Sequence, residues 1–207
     1  PIDYRSRQRQ LGTLQRAVAR ADATATASPD CHGPSPLTPR PSPLAPRPSP
    51  LGKLARRLAD EWTDGRVKLY LTWRALTFRR EHPDLFQRGA YLPLTAAGPL
   101  EEHLCAFARE LNDEQILVVV PRLTARLLDE APEAEAHGPL RFKDRAWERT
   151  SLLLPDRPGQ RYRCLFSGQA VETIETKDAT LKGARSTLPL STLLADFPVI
   201  LLVRENL

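Results

Sequence analysis

The chain has 207 residues, 41% of them hydrophobic, with 30 Lys and Arg against 25 Asp and Glu. That length can bury one sizeable core, or one domain with a helical extension, and no run of 18 consecutive apolar residues marks a membrane span. The three cysteines, Cys31, Cys105 and Cys164, are odd in number and far apart, and residues 1–20 lack the apolar core of a signal peptide; a cytoplasmic protein with reduced thiols and no zinc site is expected.

The charge is uneven. Residues 1–88 hold 16 basic and 8 acidic residues, whereas residues 89–207 hold 14 and 17. A basic front can attract nucleic acid electrostatically. Here the arginines are spread along amphipathic segments with acids among them, and no aromatic stacking platform accompanies them. No nucleic-acid partner and no membrane partner is expected.

In chain order, residues 3–21 predict a helix. Asp3 suits the N-cap, and Tyr4, Leu11, Leu14 and Val18 recur at helical spacing. The pattern then breaks. Pro34-Ser35-Pro36-Leu37-Thr38-Pro39-Arg40 repeats as Pro41-Ser42-Pro43-Leu44-Ala45-Pro46-Arg47 and begins again at Pro48-Ser49-Pro50-Leu51. Prolines at this density remove backbone donors and fix φ, so residues 22–53 read as an extended linker or insertion. Their P-x-x-P spacing also fits aromatic-lined grooves, which leaves a partner for the repeat as the alternative.

Regular structure resumes with Leu54, Leu58 and Trp62 on one helical face, and Thr63 or Asp64 can cap a second helix. From Arg66 to Glu81 apolar residues fall on nearly every side, so this helix requires burial on more than one face. His82-Pro83 ends it. Trp73 lies in its most apolar part and is expected in the core, and Trp62 is expected to pack between helices.

From residue 90 the period changes to that of strands, at 90–95, 103–109, 115–120, 150–154, 161–166, 170–175, 185–190 and 198–203. Turn residues such as Asn112-Asp113, Pro158-Gly159, Ser167-Gly168 and Lys182-Gly183 separate several of them. The runs Ile116 to Val120 and Val199 to Val203 are continuously apolar, like strands covered on both faces. Residues 191–196 predict one helical turn, and 129–147 a polar loop. The fold class is α+β: helices, then an antiparallel β-sandwich of seven or eight strands. The organisation expected is a helix over 1–21, the Pro-rich linker over 22–53, a helical segment over 54–88 and a C-terminal β domain over 89–207.

Candidate chemistry is sparse. Glycosidase chemistry needs two carboxyl groups converging on one bond. Glu101-Glu102 and Asp129-Glu130 are adjacent only in sequence, and such pairs are normally solvated. His32, His82, His103 and His137 have no metal-ligand spacing, Ser167-Gly168 forms no nucleophile elbow, and no Gly-rich phosphate loop is present. Catalytic, cofactor-binding and metal residues are therefore all expected to be absent. Sugar rings stack on aromatic faces, and Trp147, between Arg145 and Arg149, is the one candidate sugar contact, against the alternative of packing beneath the 129–147 loop.

A longer signal lies in Asp64-Gly65-Arg66-Val67-Lys68-Leu69-Tyr70-Leu71-Thr72, carried on by Arg79-Arg80-Glu81-His82-Pro83-Asp84-Leu85-Phe86 and by Gly89-Ala90-Tyr91-Leu92-Pro93-Leu94. It is joined by Pro1-Ile2-Asp3-Tyr4, by His103 to Arg109, by Leu117-Val118-Val119-Val120-Pro121-Arg122-Leu123, by Phe166-Ser167-Gly168 and by Leu193 to Val199. Together these resemble the C-terminal portion of the maltooligosyltrehalose synthase family of the α-amylase clan, over most of residues 1–20 and 54–207. Glu148-Arg149-Thr150 departs from the family's pattern at that loop. The resemblance implies that the N-terminal helices are the closing part of a (β/α)8 barrel. It also implies a parent isomerase that turns the reducing-end α-1,4 link of maltooligosaccharides into α-1,1 by intramolecular transglycosylation. An aspartate nucleophile and a glutamate acid/base on the upstream barrel carry that reaction, so maltooligosaccharide would be met through a barrel this chain does not contain. The chain itself is then structural and inactive alone. The competing expectations are a non-enzymatic interaction module using the Pro-rich repeat, or a glucan-binding accessory domain.

Overall fold

The computed structural model describes residues 3–26, 49–124, 147, 149–156, 158–176 and 186–205. Its first element, α1, is Tyr4–Thr26. Asp3 caps it as expected, its Oδ1 accepting from the Ser6 amide at 3.0 Å. Leu14, Val18 and Ala21 make the buried side. The helix runs five residues past 21, because Ala23 and its neighbours offer nothing that breaks it before the Pro-rich stretch.

The second helix, α2, is Pro50–Asp60, and it corrects the linker boundary at 53. Ser49 is its N-cap, the Oγ accepting from the Gly52 amide at 2.9 Å, and Pro50 is its first residue. Proline is tolerated there because that N–H has no helical partner in any case. The third copy of the repeat is thus a helix start. The two earlier copies, at 34–47, lie outside the described residues. A short 3-10 turn, Trp62–Asp64, leads through Gly65 (φ 75°) into α3, Arg66–Glu81, and Asp64 Oδ1 receives the Arg66 amide at 2.8 Å. His82 ends α3 and opens α4, Pro83–Gln87.

Among the described residues, ten antiparallel strands follow in two sheets. One orders β1 (Ala90–Leu94), β3 (Leu104–Leu111), β4 (Glu114–Pro121), β10 (Ile200–Arg204), β6 (Arg161–Cys164) and β7 (Ala170–Glu172). The other orders β2 (Ala96–Ala97), β5 (Ser151–Leu154), β9 (Ser186–Pro189) and β8 (Ile174–Glu175). A helical turn, α5 (Leu190–Leu193), precedes the last strand.

The strand predicted over 90–95 ends at Leu94, and the chain then breaks to enter the other sheet at Ala96. The strand predicted over 170–175 divides within its range as the chain passes between the sheets. The second break is at Thr173, which is buried. Its amide and carbonyl pair with Gln160 and Gly159, and its hydroxyl accepts from the Gln160 amide at 2.9 Å. A buried corner of this kind keeps every polar group satisfied while the backbone turns between layers. The β3–β4 hairpin turns on Asn112-Asp113 as expected, with Asn112 at φ 55°, a conformation asparagine tolerates. Tyr162, Leu117, Leu152, Leu188 and Leu202 fill the core between the sheets.

Candidate functional site

The densest constellation of specific contacts joins the helices to the turn after β6. Three consecutive carbonyls of that turn each receive a side-chain donor from the helical segment. Arg74 Nη2 of α3 donates to Leu165 at 2.8 Å, Tyr70 Oη of α3 donates to Phe166 at 2.7 Å, and Ser49 Oγ donates to Ser167 at 2.6 Å. Turn carbonyls buried against another element need donors, and here the strand ladder cannot supply them.

Aromatic packing surrounds these bonds. The Tyr70 ring lies 6.0 Å from Phe197 and 6.4 Å from Phe166, and Phe166 and Phe197 are 5.4 Å apart. Burial pushes the Tyr70 phenol well above its ordinary range, so the hydroxyl stays a donor. At the margin, Arg56 of α2 pairs with the buried Asp196 carboxylate. Gly168 (φ 67°) closes the turn, and a Cβ there would stand 3.4 Å from the Leu51 side chain. The helices and the β domain are therefore one packed body at this seam.

The helix α3 has two apolar sides, as its sequence requires. Val67, Tyr70 and Phe78 are buried, and Tyr70 is the one whose ring packs on Phe166 and Phe197 of the β domain. Leu69, Trp73 and Leu76 stand at i, i+4 and i+7 on a neighbouring side; the first two are only half-buried and Leu76 is 58% exposed. Trp73 packs against the core by its edge contact with Tyr70, at 6.3 Å, without being enclosed by it. Trp62, expected between helices, is 41% exposed. The expectation of burial on more than one side is met on one side.

No arrangement of acids suited to catalysis appears among the described residues. Glu101 and Glu102 are exposed in a 3-10 turn, and Asp129-Glu130 lie outside the described residues. A cavity of about 350 Å³ at the seam is lined by Ser49, Leu51, Arg74, Cys164 and Leu165, with Asp22 and Glu205 as its acids. Glu205 is held by Arg163 at 2.6 Å, so it is committed to an ion pair. A shallower concavity on α1 is lined by Arg5, Gln8, Arg9, Gly12, Thr13 and Arg16 and contains no carboxylate. No group of three or more metal-ligating side chains forms among the described residues, and no helix there is long and apolar enough to cross a membrane.

Trp147, the candidate sugar contact, is 2% exposed. Its ring is enclosed and offers no face for a sugar to stack on; residues 129–146 of the loop in the packing alternative lie outside the described residues. Cys164 is buried, as a small hydrophobe should be, whereas Cys105 is exposed. The role of Ser49 was hidden in the repeat. The one available signal is that Lys53 stands where the earlier copies have Pro39 and Pro46, so only the third copy can continue as a helix.

No family model matches the chain. Two curated proteins, both named putative maltooligosyl trehalose synthase, come from Mycobacterium tuberculosis strains CDC 1551 / Oshkosh and ATCC 25618 / H37Rv. Each is 34% identical to this chain over 139 residues, which is 67% of this chain and 14% of theirs. A solved structure of a mutant maltooligosyltrehalose synthase from Arthrobacter ramosus is 28% identical. The match covers 74% of this chain and 17% of that one, with a TM-score of 0.44. The chain spans about a seventh of the length of the curated relatives it matches.

Proposed function

We propose that this chain, which is related in sequence to the maltooligosyl trehalose synthases over two thirds of its residues, is a structural C-terminal part of such an enzyme and carries none of its catalytic groups. The whole protein would rearrange the terminal α-1,4 link of a maltooligosaccharide into α-1,1. The nucleophile and the acid/base would lie on a barrel upstream of residue 1.

The observation that carries this reading is the double-sided helix α3. One side is locked to the β domain by Tyr70 and Arg74, and the side bearing Leu69, Trp73 and Leu76 is left incompletely covered. Large apolar side chains held in a row at the surface, on a helix already anchored by its other side, mark a surface built to be covered. In this reading the helices close the barrel and the β domain holds them in place. The chain's share of catalysis is to keep the barrel shut, which fixes the geometry of upstream residues rather than supplying a reacting group.

The interaction-module reading is weaker, because the third repeat unit is consumed in capping α2 and contacting Ser167. A glucan-binding role loses its only named residue with the burial of Trp147. The test is to express the full reading frame that includes this chain and incubate it with maltopentaose. Isomerisation removes reducing ends without shortening the oligosaccharide. Release of shorter sugars with a gain of reducing ends would mean a hydrolase, and no change in either would remove the proposed activity.

A further inference from the structure

We infer that the cavity at the seam is a binding site for a small organic anion, a carboxylate carried on a compact apolar body. This goes beyond the proposed function and does not depend on it.

Three elements bring positive charge to one hollow. Ser49, Pro50 and Leu51 at its wall are the cap and first turn of α2, so the positive end of that helix's dipole borders it. Arg74 reaches it from α3 and Arg163 from β6. Among the described residues the wall carries three arginines, Arg204 being the third, against the acids Asp22 and Glu205.

The same turn holds two of these guanidinium groups in place. Arg74 Nη2 donates to the Leu165 carbonyl at 2.8 Å, and Arg163 Nη1 donates to the Gly168 carbonyl at 3.3 Å. Arg163 is neutralised by Glu205. Arg74 is not: among the described residues no ion pair reaches it, and its Nε is buried without an acceptor. A guanidinium cannot shed its proton to escape that position, and a buried donor without an acceptor is costly. An anion in the cavity answers both the charge and the missing hydrogen bond.

The rest of the wall decides what the anion is attached to. Leu51, Leu165 and Val203 are apolar, and the volume of about 350 Å³ equals that of roughly ten waters at about 30 Å³ each. Inorganic phosphate would leave that apolar wall wet. A sugar would lack hydroxyl partners, since Ser49 Oγ is already taken by Gly52 and Ser167. A carboxylate matches the planar guanidinium. An apolar body, giving a ligand of about six to ten non-hydrogen atoms, fills the remainder.

Saturation-transfer NMR on the native full-length protein tests this, with hexanoate as the probe. Hexanol and acetate are the controls, the first lacking the charge and the second the apolar body. Hexanoate should bind at least about tenfold more tightly than either. Arg74→Gln, whose amide can still donate to Leu165 but carries no charge, should weaken hexanoate by about tenfold or more, and Arg163→Gln by a few fold. Hexanoate bound no better than hexanol overturns the inference. So does an affinity that neither substitution changes, which places the binding elsewhere. Binding that appears only once residues 34–47 are deleted overturns it too, because the chain itself then fills the cavity. Should Arg74→Gln fail to fold, Arg163→Gln decides alone, and an unchanged affinity there is fatal. The two proposals separate cleanly. A protein that isomerises maltopentaose but ignores hexanoate keeps the function and loses the site; one that is inactive but binds hexanoate through Arg74 does the reverse.

Discussion

Tyr70 donates its hydroxyl to the carbonyl of Phe166 at 2.7 Å, across 96 residues of sequence and with both groups buried. The bond ties the most apolar helix of the chain to the turn at the end of β6, between the Arg74 and Ser49 bonds to the adjacent carbonyls. The seam therefore stands or falls as a unit.

Tyr70→Phe removes the donor and keeps the ring, leaving the Phe166 carbonyl unsatisfied. A loss of about 1–2 kcal/mol is expected in denaturant unfolding. The pH dependence follows from the raised phenol pKa. A folded-state pKa above the unfolded value of roughly 10 gives stability that is complete below pH 10 and declines as pH rises toward the folded value. The substituted protein should therefore lose less stability than the parent between neutral pH and the alkaline range, measured by melting temperature. Tyr162, whose pKa is also raised chiefly by burial, keeps part of the alkaline sensitivity in both.

Ser49→Ala removes the cap of α2 and the donor to Ser167 together. It should cost about 1–2 kcal/mol, near the upper part of the range for a lost N-cap. Deleting residues 34–47 leaves Ser49, Pro50 and Leu51 in place. That deletion should leave the melting temperature and the activity of the full-length enzyme nearly unchanged, because loop-closure cost varies slowly with length. Extending the deletion through Pro50 should add the loss of the cap. Melting curves of the two deletions side by side check the boundary.

Trp73→Ala distinguishes a chain standing alone from one with its second surface covered. A fully buried large aromatic costs roughly 3–5 kcal/mol to truncate. In residues 1–207 alone Trp73 is half-buried, so the loss should fall clearly below that range. In the full-length protein it should reach it. Equal, small losses in both would mean that the side of α3 bearing Leu69 and Leu76 faces solvent.

Local order was largely legible in the residues. The hairpin at Asn112-Asp113, the stop at His82-Pro83, the cap at Asp3 and the alternation of Tyr162 with Cys164 all rest on short-range rules that the fold obeys. Phe166 continues that alternation in sequence but leaves the strand, because its carbonyl and ring are taken by Tyr70. Tertiary partners of this kind carry no sequence periodicity. The sheet changes at Thr95 and Thr173 were invisible for the same reason: an apolar run reads alike whether it stays in one layer or crosses to the next. Trp62 is exposed where packing between helices was expected, since an aromatic's exposure depends on which surfaces meet over it. At the seam, the helix that carries Tyr70 was recognisable as one requiring burial, whereas Ser49 was hidden, its repeat context reading as linker.

The most direct measurement of the division of labour compares residues 1–207 alone with the full-length protein, each given maltopentaose, by loss of reducing ends and by chromatography of the α-1,1 product. The account predicts conversion by the full-length protein and none above buffer by the chain alone. Conversion by the chain alone, abolished by replacing a carboxylate within it such as Asp22 or Glu205 at the seam cavity, would contradict it.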